Sequence, residues 1–306
     1  MLWSLMALAD WVRIIILSFI WGGSFFFVEI MLEAMPPMTG VLGRLSVGLI
    51  GLLCILKFIG QSLRPLMDQW SSFALIGLIN NAIPFSLISF GQTEITGSLA
   101  SIINASTPIM TALVAHQLTT DERLSFRKSI GIALGFFGVL VLFAPAALTG
   151  GPSFLGMTAG LAATICYAFG SVYSKRLKGN PPMVNAAGQV LYATLWMFPV
   201  VMLCDKPWLL PIPGVAAWLA LLGIGLLSTT FAFFLYFRVL QTAGANNVVL
   251  VTFMVPLSAS VLGILFLGEA LSFRDIIAYL IIVSGLVVID GRLASKISRL
   301  RLKRQI

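Results

Sequence analysis

Charge is scarce in this chain: of 306 residues only 10% are Asp, Glu, Lys or Arg, against 59% hydrophobic. A soluble domain of that length needs more charge to cover its surface, so a water-soluble fold is excluded. Histidine occurs once and cysteine three times. Cys54, Cys166 and Cys204 sit within or at the ends of apolar runs without ligand spacing. They read as buried free thiols, which excludes a disulfide framework and a Cys/His metal centre. There is no glycine-rich phosphate loop, so ATP is not the energy source. Nucleophile-elbow and zinc-protease patterns are missing, and no pair of catalytic groups converges, so an enzyme is not expected. No cofactor is implied.

What the chain does have is long apolar runs. A spanning helix needs about 20 apolar residues. Ten such runs can be drawn, at roughly 12–32, 39–58, 71–92, 97–116, 127–144, 155–175, 184–203, 215–237, 245–267 and 274–290. The first extends from about Trp11 to Leu32 with no small-residue cleavage site after a short core, so it is expected to be retained as a helix. The net charge of +8 raises nucleic acid as a partner, but its distribution answers that. With the N-terminus in the cytoplasm, sixteen of the nineteen Lys and Arg fall on the inner side, only Lys206 and Arg274 fall outside, and Arg44 lies within a helix. The positive-inside rule then puts both termini in the cytoplasm. The basic tail 292–306 is expected on anionic lipid, and no nucleic-acid partner is expected.

The chain is also written twice. Asp121-Glu122-Arg123-Leu124-Ser125-Phe126-Arg127 returns as Gly268-Glu269-Ala270-Leu271-Ser272-Phe273-Arg274. Trp70 matches Trp218, Gly97 matches Gly244, Pro36-Pro37-Met38 matches Pro181-Pro182-Met183, and Gly23-Ser24 matches Gly170-Ser171, all at offsets of 145 to 148. The expected architecture is all-α and integral to the membrane. It divides into a first repeat at 1–147 (helices 1–5), a second at 148–291 (helices 6–10) and the tail. Five helices per copy is an odd number, so the second copy enters from the opposite side. Inverted repeats of this kind are the architecture of secondary transporters, with substrate near the midplane.

Trp21-Gly22-Gly23-Ser24-Phe25, the Pro36-Pro37 turn followed by Arg44, and the two Glu-x-Leu-Ser turns resemble the drug/metabolite transporter superfamily, in particular its EamA-domain branch. The resemblance implies a ten-helix inner-membrane carrier of two EamA repeats, often an exporter of amino acids or related metabolites. It also implies a central cavity lined chiefly by helices 1, 3, 4, 6, 8 and 9. Substrate does not carry over, because members move very different solutes.

The polar residues inside the helices are the candidates for that cavity. Helix 1 places Trp21, Ser24, Phe25 and Val28 on one face, and helix 6 places Tyr167, Gly170, Ser171 and Ser174 at the same spacing. Each face is either a close-packing stripe or a cavity wall. Helix 3 holds Asn80, Asn81 and Phe85 around Pro84, and two amides in hydrocarbon must bond across helices or face water. Helix 4 aligns Ser101, Asn104, Pro108 and Thr111; its mate, helix 9, carries Asn246, Asn247, Thr252 and Pro256. Prolines at matching depth predict paired kinks near the midplane. Helix 8 adds Phe233, Tyr236 and Phe237 with Thr229 and Thr230.

The substrate-binding candidates are thus Trp21, Ser24, Phe25, Asn80, Asn81, Phe85, Asn104, Tyr167, Ser171, Phe233, Tyr236 and Asn247. Gating or coupling candidates are Glu29, Arg44, Pro108 and Pro256. Glu29 and Arg44 lie at similar depth, which predicts an ion pair, either one that breaks on opening or a static one. His116 reads as packing or interfacial, or as a proton relay. Glu122 and Glu269 precede turns whose Ser125 and Ser272 are expected to cap the next helix. The pairs Gly131/Gly135 and Gly156/Gly160 fit helix packing or a dimer interface, so a monomer or homodimer is open.

With one basic residue well inside a helix and no deep acidic ring, phosphorylated solutes and small cations are disfavoured. A neutral or zwitterionic solute with an apolar body fits best, such as a neutral or aromatic amino acid. Broad export of amphipathic drugs and a non-transporting interaction or sensing subunit are the alternatives.

Overall fold

A computed structural model of the chain describes residues 7–119, 124–149, 152–177 and 179–290, the side chains of Pro152, Ala245, Asn246 and Val249 excepted. Glu122, Arg123, Lys178, the Asn246 side chain and the basic tail lie outside the described residues. Ten helical stretches cross the molecule: α1 (Leu8–Leu32), α2 (Pro37–Phe58), α3 (Trp70–Gly91), α4 (Gly97–Leu118), α5 (Phe126–Thr149), α6 (Ser153–Leu177), α7 (Pro182–Cys204), α8 (Val215–Ala243), α9 (Ala245–Leu267) and α10 (Phe273–Asp290). Among the described residues, nine are long and apolar enough to span a bilayer. The remaining helix, α10, is 18 residues long and includes Arg274, Asp275 and Asp290 near its ends.

Local chemistry explains the boundaries. α2 and α7 each start on a proline, Pro37 and Pro182, where the missing N–H would be unpaired anyway. The Thr96 side chain accepts a hydrogen bond from the Leu99 N–H at 3.3 Å to start α4. α8 ends on Gly244 at φ +82° and α9 on Gly268 at φ +69°, values that a side chain would strain. As expected, Ser272 and Ser125 cap the helices they precede, accepting from the N–H groups of Asp275 and Lys128.

Neither copy is a separate domain, because the two interleave. α1 packs on α9, α2 on α7 and α8, α3 on α6 and α7, and α5 on α10. Small residues set these seams, since lipid offers no hydrophobic gain for bringing helices together. On α5 and α10, a Cβ added at Gly131 or Gly138 would strike the opposite helix's backbone, and so would one at Gly285. Between α1 and α9, Gly22 faces Ser258, whose hydroxyl donates to the Ser18 carbonyl at 2.7 Å. Both glycine pairs are used inside the fold: Gly131 against Gly285, Gly135 against Ile109, Gly156 against Gly91 and Gly160 against Ile103.

Two helices depart from α geometry at matching positions. α3 turns π-helical over Leu78–Ala82 and α8 over Gly223–Phe231. In α3 the wider turn precedes Pro84, and the Ile83 N–H reaches back to Leu78 O, which carries the helix past a residue without an N–H. In α8 the hydroxyls of Thr229 and Thr230 bond the carbonyls five residues back, Ile224 and Gly225.

The two repeat-related prolines meet different backbones. α4 is interrupted at Ala105 and Ser106, just ahead of Pro108, and the hydroxyls of Ser106 and Thr107 bond the carbonyls of Ile103 and Asn104. Pro256, in contrast, sits inside a continuous α9.

Candidate functional site

Between the two copies lies a cavity of about 600 Å³. For orientation, the near face is the one at which α1 begins, and the far face is the one at which it ends. At the far end the cavity is lined by Val28, Gln92 and Ser101, all buried. At the near end it reaches Leu177 and Asn185, and Ser171 there is exposed. A side vestibule of about 330 Å³ shares Thr107 and Ser171 with it and adds Pro108, Thr111, Ala112 and Lys128.

Eleven of the twelve expected binding residues line this cavity. α1 contributes Trp21, Ser24 and Phe25; α3 contributes Asn80, Asn81 and Phe85; α4 contributes Asn104. From the second copy come Tyr167 and Ser171 on α6 and Phe233 and Tyr236 on α8. The aromatic groups form a connected wall: the Trp21 and Tyr236 ring centroids are 5.6 Å apart, Tyr236 and Phe237 5.1 Å, and Phe233 and Phe237 6.2 Å. Asn80 Nδ2 donates to Gln189 Oε1 at 2.9 Å, so its amide bridges the two copies across α3 and α7. Asn104 Oδ1 lies 3.4 Å from the Thr107 hydroxyl at the break in α4.

Asn247 is elsewhere. It stands in the first turn of α9, with Nδ2 donating to the Ala243 carbonyl at 2.8 Å, too near the helix end to reach the cavity. Pro256 lines the cavity, whereas Pro108 lines only the vestibule. His116 Nδ1, in the last turn of α4, accepts from the Leu124 N–H at 3.3 Å, just ahead of α5.

The expected Glu29–Arg44 pair does not form, since equal depth does not put two side chains on facing sides of their helices. Arg44 turns into the cavity, with its Cζ 3.8 Å from the centre of the Phe85 ring and its Nε donating to Thr229 Oγ1 at 3.3 Å. Glu29 turns to the far face, where Oε2 accepts from Gln92 Nε2 and from Gly97 N, each at 3.0 Å. Glu269 joins it there. Its two oxygens accept from the N–H groups of Gly97 and Ser98 at 3.1 Å each, so two carboxylates occupy the positive N-terminus of α4. Gln92 Oε1 and Ser98 Oγ are buried beside them without a hydrogen-bond partner. Nearby, Asp205 at the end of α7 accepts from the Thr39 N–H and hydroxyl at 2.9 and 2.7 Å, tying the start of α2 to α7. These bonds join α1, the end of α3, the start of α4 and the turn between α9 and α10 at the far face, and a separate set joins α2 to α7 there.

Five polar lining residues escaped the sequence reading: Gln92, Thr107, Asn185, Gln189 and Ser228. α7 had not been suspected as a wall. A signal existed, because Gln189 stands 145 positions after Arg44, the offset that also relates Pro36 to Pro181. The two residues are repeat mates that both face the cavity.

Comparison with known proteins agrees with this geometry. The EamA-like transporter family matches residues 11–144 and 154–290. An uncharacterised inner membrane transporter of Escherichia coli strain K12, YedA, is 26% identical over 274 residues, covering 89% of this chain and 88% of its own. Protein PecM of Dickeya dadantii is 28% identical over 276 residues, covering 89% of each chain. An uncharacterised transporter of Bacillus subtilis, YoaV, is 25% identical over 281 residues, covering 89% of this chain and 94% of its own. A solved crystal structure shares the fold with a TM-score of 0.67 at 20% identity, over 94% of this chain and 98% of that one. Two matched repeats and spanning helices lead to one conclusion: the chain belongs to the EamA-like transporter family, as a multi-pass transporter of the bacterial inner membrane.

Proposed function

We propose that the protein exports small metabolites, neutral and aromatic amino acids foremost, by alternating access through the central cavity. The observation that supports this best is the cavity: about 600 Å³, walled by aromatic rings with a few amides and hydroxyls among them. That size and mixture suit a small molecule with an apolar body. The enclosed end is held by Glu29, Gln92, Glu269 and the start of α4, and the other end reaches the near face. Lys and Arg gather on the near face, which makes it the cytoplasmic one. In that orientation the described conformation loads from the cytoplasm, and release requires the far-face lacing to part.

Five helices per copy make the halves 1–147 and 148–291 inverted partners, and rocking of one against the other moves access across the membrane. The tail 292–306 rests on anionic lipid. The functional unit is a monomer or a homodimer, with both glycine pairs packed against α3, α4 and α10 of the same chain. Carriage is secondary-active or facilitative, without catalysis.

The test is counterflow in proteoliposomes preloaded with single amino acids. Accumulation of labelled solute against one or a few neutral or aromatic members is the expected result. Silence across the panel, from protein that melts cooperatively, refutes the amino-acid assignment.

A further inference from the structure

Arg44 is the one charged side chain in the cavity wall among the described residues. A guanidinium has five N–H donors. Nε is committed to Thr229 Oγ1 at 3.3 Å, and the donors on Nη1 and Nη2 meet no acceptor among the described residues. The plane is held against Phe85, Cζ to ring centre 3.8 Å, so the free edge is fixed in direction. No carboxylate pairs with it, and no Asp or Glu lines the cavity.

A cation withdrawn from bulk water without a counter-charge is costly unless something in the cavity supplies one. A bidentate carboxylate fits the open fork, matching both its geometry and its charge. Phosphate esters and dicarboxylates would leave a second negative charge uncompensated, and an ammonium would find no anionic partner in the wall. We infer that Arg44 is the carboxylate-binding residue of the cavity, and that the cargo is a monocarboxylate with an aromatic or aliphatic body whose α-amino group is tolerated but not required. This rests on the cavity being the transport site. It deepens that reading by separating the carboxylate, which is recognised, from the ammonium, which is not.

The experiment titrates four probes against the purified full chain in detergent and reads ligand-induced shifts in melting temperature, which report affinity. The probes are phenylalanine, 3-phenylpropionate, phenylalaninamide and phenethylamine. Phenylalanine and 3-phenylpropionate are expected to act within about threefold of each other, and the amide and amine about tenfold or more weaker. In Arg44→Gln the carboxylates should lose that advantage. Arg44→Lys should weaken them about threefold and keep part of the preference, since charge remains without the fork. Melting without ligand shows whether each variant folds, and the wild-type ranking alone decides the matter if neither does.

Equal action by phenylalanine and its amide overturns the inference and leaves amino-acid carriage standing. Activity of phenylalanine without 3-phenylpropionate also overturns it, because the amine is then required. Activity of 3-phenylpropionate with phenylalanine silent overturns the inference as stated, because the α-amino group is then excluded, and it removes the amino-acid assignment as well. Silence from all four overturns both.

Discussion

Substituting Gly285 by alanine tests how closely α5 and α10 are packed. A Cβ there would sit 2.6 Å from Gly131 O, 2.6 Å from Gly135 N and 2.9 Å from Gly135 Cα. All three are backbone atoms, so no side chain can rotate out of the way. Reaching ordinary contact at 3.4 Å requires the helices to part by about 0.8 Å, and a gap of that size forfeits a quarter to a half of each van der Waals well. If about 40 atom pairs of about 0.1–0.2 kcal/mol each meet along the opened part of the seam, the loss is roughly 1–4 kcal/mol. Overpacking elsewhere costs about 1–3 kcal/mol, so about 2 kcal/mol is expected.

In detergent this should lower the melting temperature by about 4–8 °C at the slopes usual for chains of this size. Gly135→Ala is the control. Its Cβ would come still closer to an atom, but that atom is Ile109 Cδ1, the free end of a flexible side chain. Less than half the Gly285→Ala shift is expected. Since α5 and α10 supply no residue to the central cavity, counterflow per folded molecule should persist in both variants. A Gly135→Ala shift equal to that of Gly285→Ala, or no shift in Gly285→Ala, would refute the reasoning.

Three further outcomes follow from the geometry. Gly170→Ala places a Cβ 2.6 Å from Asn80 Oδ1 and 3.0 Å from Asn80 Cβ, which displaces the amide and breaks its bond to Gln189. Half-saturating substrate in counterflow should rise about fivefold, the equivalent of one net hydrogen bond, with little change in melting. Asp205→Ala removes the acceptor of both Thr39 bonds and should cost about 1–2 kcal/mol of stability, whereas Asp205→Asn, which keeps a neutral acceptor, should cost less; equal losses would deny that acceptor a role. Glu29→Gln and Arg44→Gln should be additive in a double-mutant melting cycle within about 0.5 kcal/mol, since the two side chains have separate partners. A larger coupling would restore the ion pair.

The architecture was legible because duplication leaves marks that local propensity does not: two Glu-x-Leu-Ser turns and two Pro-Pro-Met starts in register. The cavity wall was legible for a different reason. Asn80, Asn81 and Tyr167 sit in helices otherwise too apolar to carry them, and a polar group in hydrocarbon needs a partner or water.

Azimuth was what resisted. Depth along a helix follows from counting residues, so Glu29 and Arg44 were placed level, but the rotation separating their faces depends on which neighbours each helix meets. Counting by i, i+3 and i+4 also fails past Leu78 in α3 and Gly223 in α8, where the π turns shift every later side chain around the axis. The contact of Glu269 with Gly97 and Ser98, 172 and 171 positions away, had no local signal at all. Its own sequence context suggested only the next helix.

The two π segments occupy one place in the repeat. At the offset of 148 set by Trp70 and Trp218, Leu78–Ala82 maps within Gly223–Phe231. A π turn departs from regular α bonding and is met frequently at functional sites. Here each half brings one to the cavity: Asn80 and Asn81 stand in the first, Ser228 and Thr229 in the second. The copies differ in how they hold it, one passing a proline and the other relying on a pair of threonine hydroxyls. The irregular turn is common to both halves, and the means of stabilising it is not.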